Sequence, residues 1–165
     1  MQHLIHTLAV FSPCKKYRYR LWRSWDPQAP VLTIIGLNPS RADASYTDPT
    51  IRRCQDFAQR WGYGSLHVVN LFAYRSPYPS ALRAYRRPNG PENDWHIQQA
   101  IADADLTLVA WGNDGAWKNR DRQVIRWIPD PFCLQQNKSG QPAHPLYQPK
   151  SRKPQPFDAQ LLRRR

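Results

Sequence analysis

A chain of 165 residues is the length of one domain, with room for a core of two or three layers. Seven Trp, eight Tyr and five Phe exclude disorder along the whole length, and no run reaches the roughly 18 apolar residues of a membrane span. Lys and Arg number 24 against 12 Asp and Glu, and this net charge of +12 points to a polyanionic partner, nucleic acid first, with a merely soluble basic protein as the alternative.

The apolar start, Leu4 to Phe11, holds His6 and follows no basic region, so a secretory signal is not expected. Cys14, Cys54 and Cys133 are widely spaced and form no C-x-x-C pair. Neither a metal nor another cofactor is therefore expected, and a reduced, cytoplasmic protein, membrane-free and monomeric, fits best. Lys15 to Trp25 reads KKYRYRLWRSW. Tyr17, Tyr19 and Leu21 alternate with Arg18, Arg20 and Trp22, which predicts a strand with one buried face. Its five basic residues suit a charge-protected edge strand or a nucleic-acid face.

Three runs, Val31 to Ile35, Leu66 to Val69 and Leu106 to Ala110, are apolar throughout. That is the pattern of strands buried on both faces of a parallel sheet. Between them, Asp48-Pro49 predicts a cap and a first helical residue. Ile51, Cys54, Ala58 and Trp61 follow at helical spacing, and Gly62 ends the helix. Gly90-Pro91 opens a second helix with Ile97, Ala100, Ile101 and Ala104 on one face. Ala116 to Ile128 forms a third, less regular one, and Phe132 to Leu134 a last short strand. The alternation predicts an α/β domain over 1–148, a three-layer sandwich around a mainly parallel central sheet. Residues 73–91 and 135–156 read as loops. The tail, 149–165, reads as a mobile basic arm.

Ligands of open parallel sheets bind beyond the carboxyl ends of the strands. Here those ends carry Gly36-Leu37-Asn38-Pro39-Ser40, then Asn70-Leu71-Phe72, then Trp111-Gly112-Asn113, with His144-Pro145-Leu146-Tyr147 after the last strand. Each alone is an ordinary turn or a structural histidine. Their convergence on one edge makes a candidate site. Arg52 and Arg53, at the start of the helix capped by Asp48, suit a phosphate or simply decorate a surface helix.

The order GLNPS, VVNLF, LVAWGN, HPLY resembles the uracil-DNA glycosylase superfamily. More closely, nearly the whole chain resembles a bacterial and phage domain-of-unknown-function family, number 1643, through RYRLWRSW, IGLNPSRAD, DPTIRRCQDFAQRWGYG, NLFAYRS, GPENDW, AWGNDG and HPLYQP. The resemblance implies a uracil-DNA glycosylase-like fold and hydrolysis of an N-glycosidic bond to a pyrimidine or modified base. Asn38 would place water and His144 would stabilise the departing base as the catalytic pair. Gly36, Leu37, Pro39, Ser40, Asn70, Phe72, Trp111 and Gly112 would contact the base, with Asn70 reading its edge. Arg41, Arg52, Arg53, Leu146, Tyr147 and Lys150 would meet the nucleic acid, DNA rather than RNA.

The chemistry is coherent. Bond cleavage builds negative charge on the base, which a neutral imidazole N–H can meet. An amide orients water without taking its proton, so Asn38→Asp is expected to speed release. Ser40 stands where strict uracil enzymes carry a tyrosine, which leaves room for a C5 substituent. HPLYQP departs from the superfamily's usual Ser-Pro continuation. A non-catalytic nucleic-acid or nucleotide-binding module, or an enzyme acting on a free nucleoside or nucleotide, are the alternative readings.

Overall fold

In a computed structural model, which describes residues 6–164, the three apolar runs form the centre of a seven-stranded sheet. In chain order the strands are β1 (His6–Phe11), β2 (Arg18–Ser24), β3 (Val31–Gly36), β4 (Ser65–Asn70), β5 (Leu106–Val109), β6 (Pro131–Cys133) and β7 (Gln155–Pro156). The helices are α1 (Pro49–Arg60), α2 (Pro79–Ala84), α3 (Asn93–Asp103) and α4 (Arg120–Ile125). Leu4 and Ile5 of the apolar start, and Arg165 of the tail, lie outside the described residues.

The sheet order is β1-β2-β4-β3-β5-β6-β7. Strands β4, β3, β5 and β6 are mutually parallel, with Gly36 paired to Asn70 and Ile35 to Val109. At the edges β1–β2, β2–β4 and β6–β7 are antiparallel. The expectation of a mainly parallel sheet is thus corrected to a mixed one. Apolar runs mark the buried centre, but nothing in a strand's composition states the direction of its edge neighbours.

Helices cover both faces, which makes three layers. Ile51, Cys54, Phe57 and Ala58 of α1 pack on Leu32, Ile34, Leu66, Val68 and Leu108. Ile97 and Ala100 of α3 and Val124 of α4 pack on Ile35, Val69 and Val109. Helix α1 starts as its sequence requires. Asp48 Oδ1 accepts from Ile51 N at 2.9 Å, Pro49 opens the first turn, and Gly62 follows the helix at φ +85°. Helix α2 lies inside a segment expected to be loop, its six residues hidden by surrounding Pro and Ser. The expected third helix divides into a 3-10 stretch, Asn113–Asn119, and α4, because Lys118 and Asn119 take positive φ.

Strand β2 departs from simple alternation. Val10 pairs with Arg20 while Phe11 pairs with Arg18, so one step on β1 spans two on β2. Tyr19 is the extra residue of a bulge. The bulge breaks the period of two, and Tyr19 and Arg20 both meet α3: the Tyr19 ring stacks on His96 at 5.0 Å, and Arg20 Nη2 donates to the His96 carbonyl at 3.3 Å. Arg18 instead joins Leu21 on the α1 side, where its Nη1 donates to Ala42 O at 3.0 Å. The single buried face expected for this strand is corrected accordingly: Arg18 and Arg23 are both buried.

The tail is not a free arm. Gln155 and Pro156 pair with Cys133 and Phe132, and Phe157 and Leu162 enter the α3–α4 side of the core. Arg122 Nη2 donates to Leu162 O at 2.9 Å, and Trp61 Nε1 to Arg152 O at 3.1 Å. Strand pairing, these hydrogen bonds and two apolar side chains together dock it. Phe157→Ala is therefore expected to lower unfolding stability by about 3 kcal/mol, read by urea denaturation. A mobile arm would leave the midpoint unchanged.

Candidate functional site

The parallel strands end side by side, and the turns that follow them enclose a cavity of about 660 Å³. Gly36, Leu37, Asn38, Pro39 and Ser40 line it after β3, Asn70 at the end of β4, Trp111 and Gly112 after β5, and His144 and Tyr147 from the later loop. These ten residues were chosen from sequence, and the fold brings them to one place.

Asn70 is 4% exposed. Among the described residues its Nδ2 has no acceptor, and a Cβ at position 36 would stand 2.9 Å from its Oδ1. Glycine at 36 thus makes room for this amide. The backbone of Asn70 is held from behind. Asn93 Nδ2 donates to Asn70 O at 2.9 Å and Leu71 O at 3.2 Å. Arg120 Nε adds a bond to Leu71 O at 2.7 Å and its Nη2 pairs with Asp94.

Asn38 is held through its amide nitrogen, which donates to Tyr74 O at 3.1 Å, Ser76 O at 3.0 Å and Pro39 O at 3.2 Å. Oδ1 is left as its polar atom for a ligand or water. His144 Nδ1 accepts from Leu146 N at 3.2 Å, so Nε2 carries the proton. Burial holds the imidazole pKa below its ordinary value, against the opposing charge of Asp48. At neutral pH this ring is an uncharged N–H donor.

Three charged residues of the cavity wall, Arg18, Asp48 and Asp114, were not singled out from sequence as site residues. Arg18, 2% exposed, reaches it because of the β2 bulge. Burial pushes its pKa down to about 10, opposed by Asp48. Asp48 lines the cavity while capping α1, with its second oxygen accepting from Ala42 N at 3.3 Å. A Lys-Arg-aromatic strand hides which of its arginines turns inward, so only the bulge could have marked Arg18.

Other expected contacts lie elsewhere. Phe72 is fully buried against Trp117, ring centres 4.9 Å apart, because the chain turns inward after β4. It does not line the cavity. Trp111 supplies wall and no stacking face. Its ring is 1% exposed and its Nε1 donates to Gln141 Oε1 at 2.8 Å. Leu146 contributes its N–H to His144 and stays outside the lining. Arg53 Nη1 donates to Gln148 O at 2.8 Å, tying α1 to the His144 loop. Arg41, Arg52 and Lys150 are exposed and outside the lining, and Tyr147 stands 81% exposed with its ring 5.7 Å from that of His144. Among the described residues no three His, Cys, Asp or Glu side chains gather as metal ligands, and no helix is long and apolar enough to cross a membrane.

The Asn38 geometry reverses the expectation for its carboxylate variant. Asn38→Asp would set a carboxylate oxygen against three carbonyl oxygens in place of a donor. The variant should lose about 2 kcal/mol of stability in urea denaturation and show no faster chemistry. Wild-type stability in Asn38→Asp would contradict this role for Nδ2.

Residues 18–146 match the model of a family described as Protein of unknown function (DUF1643). No curated protein and no solved structure matches the chain.

Proposed function

The chain belongs to the DUF1643 family, and from that premise we propose that its cavity receives a pyrimidine-type base turned out of a nucleic-acid strand and promotes hydrolysis of its N-glycosidic bond. The observation that carries this reading is the Asn70 amide. It is a buried donor without an acceptor, beside an acceptor oxygen, at the meeting point of three strand ends. A donor and an acceptor side by side match the N3 and O4 edge of a pyrimidine. An unmet buried donor costs about 1–3 kcal/mol, which a bound base edge would recover.

The other residues take complementary parts. Neutral His144 offers Nε2–H to the base oxygen on which negative charge grows. Asn38 Oδ1 accepts from a water and orients it without removing its proton, so release is slow unless the base leaves easily. Ser40 lines the cavity wall, and its small side chain leaves more room there than a tyrosine would. The +12 charge draws the polyanion, and exposed Arg41 and Arg52 adjoin lining residues in sequence. Base flipping delivers the base, with Tyr147 placed at the exposed edge to fill the vacated stack.

A base-binding module without turnover is the second reading, and one observation favours it. Both carboxylates of the lining are engaged, Asp48 by backbone N–H groups and Asp114 by Arg83 at 2.6 Å. The test uses single- and double-stranded oligonucleotides carrying varied bases, with binding and base release measured separately. Asn70→Ala should weaken the preferred oligonucleotide by about tenfold or more. His144→Ala should bind it normally and release base about 10²–10³-fold more slowly. Asn70-dependent binding with no release by the wild type would establish the binding module. Equal binding by wild type and Asn70→Ala would overturn the base site.

A further inference from the structure

Among the described residues three arginines are almost fully buried, and they differ in how their charge is met. Arg120 has Leu71 O, Gln123 Oε1 and the Asp94 carboxylate. Arg23 has Trp22 O, Asp43 O, Tyr46 O and Thr47 Oγ1, and so holds the 43–47 loop. Arg18 has one acceptor, Ala42 O at 3.0 Å, for five N–H donors. Among the described residues its Nε is buried without a partner, as is that of Arg23, and it makes no ion pair within 4.0 Å. Of the three, Arg18 alone lines the cavity.

From this we infer that Arg18 is a specificity-determining residue that receives a carboxylate carried by the bound base next to its hydrogen-bonding edge, as on C5 of a pyrimidine. The inference rests on the cavity being a base site. Position follows from the register. Leu21 faces Val68 across β2 and β4, and the Arg18 backbone N–H donates to Ala73 O just past the end of β4. Arg18 and Asn70 therefore occupy the same end of adjacent strands. In a pyrimidine read through N3 and O4, C5 adjoins the carbon that bears O4, so a group on C5 lies beside the edge that Asn70 reads.

The charges around Arg18 leave a positive site. Arg23 and Arg75 add to its potential, and Asp48 and Asp43 oppose it. Asp48, the stronger of the two opposing acids, has both oxygens turned to backbone N–H groups at Ile51 and Ala42. A guanidinium buried with one hydrogen bond is a costly arrangement unless an anion completes it. Its flat fork suits two oxygens at once. At 2% exposure it lies too deep for the phosphates of a strand whose backbone stays at the mouth.

The test compares single-stranded oligonucleotides that differ at one central base: thymine, 5-carboxyuracil, and the neutral 5-carboxamidouracil of the same shape. All three carry identical phosphates, so differences in affinity report the base alone. Wild type should bind the carboxylate about tenfold or more tighter than the carboxamide. Arg18→Gln should erase that ratio and Arg18→Lys should restore part of it, with thermal unfolding to verify folding. If both variants unfold, the wild-type ratio still decides. Equal binding of carboxylate and carboxamide by wild type overturns the inference. A gain seen only for free thymidine 5′-monophosphate over thymidine assigns Arg18 to a phosphate and overturns it too. Failure of Asn70→Ala to weaken any of the three oligonucleotides overturns the base site itself, a separate outcome.

Discussion

The Asn70 amide occupies the space that a side chain at position 36 would fill. Strands β3 and β4 are paired in parallel through Gly36 and Asn70, so the two residues meet at the last rung before the strands end. With glycine on one side, the neighbouring asparagine can be buried with its amide facing a cavity in place of packed apolar atoms. Burial of an unmet donor is tolerated because the surroundings are over-determined. Asn93 and Arg120 grip the carbonyls of Asn70 and Leu71 from the α3–α4 side, and Leu71 N and Phe72 N bond to Gly36 O and Leu37 O at 2.9 Å each. The end of β4 has little freedom to turn the amide elsewhere.

The rest of the site is built outward from that rung. Asn38 holds the 74–76 segment across the cavity rim by its nitrogen. Asp48 caps α1 and at the same time engages Ala42, whose carbonyl receives Arg18. Gln141 joins Trp111 to Asp121, fixing the far wall through two bonds of 2.8 Å. Arg53 binds the carbonyl of Gln148 and keeps the His144 loop against α1. Most of these polar residues are engaged with the protein's own backbone. The atoms left over, Asn70 Nδ2, the Arg18 fork, Asn38 Oδ1 and His144 Nε2, are those available to a ligand.

Much of this is legible in the sequence. Continuous apolar runs identify the three central strands because strands buried on both faces cannot alternate. Asp48-Pro49 identifies the start of α1 because cap and proline act locally. The carboxyl-end rule then places Asn38, Asn70 and Gly112 together. What was not legible depends on distant partners. The bulge at Tyr19 needs β1 opposite it, and without it Arg18 reads as one more surface cation. The tail docks through Phe157 and Leu162, whose apolar character is diluted by charge around them. Phe72 follows a site residue in sequence, yet the inward turn of the chain gives it to the core. Trp111 sits at a strand end and has its polar atom satisfied by Gln141, thirty positions further along the chain.

The central claim is that Asn70 and Arg18 hold donors for a ligand in one cavity. Side-chain nitrogen NMR tests it most directly, by titrating the 5-carboxyuracil nucleoside into protein with resolved Asn70 Nδ2 and arginine Nε signals. The Asn70 and Arg18 signals should shift together and saturate at the same ligand concentration, while Arg23 Nε, buried outside the cavity lining, stays in place. Shifts confined to exposed arginines, with Asn70 and Arg18 unmoved at saturation, would contradict the claim.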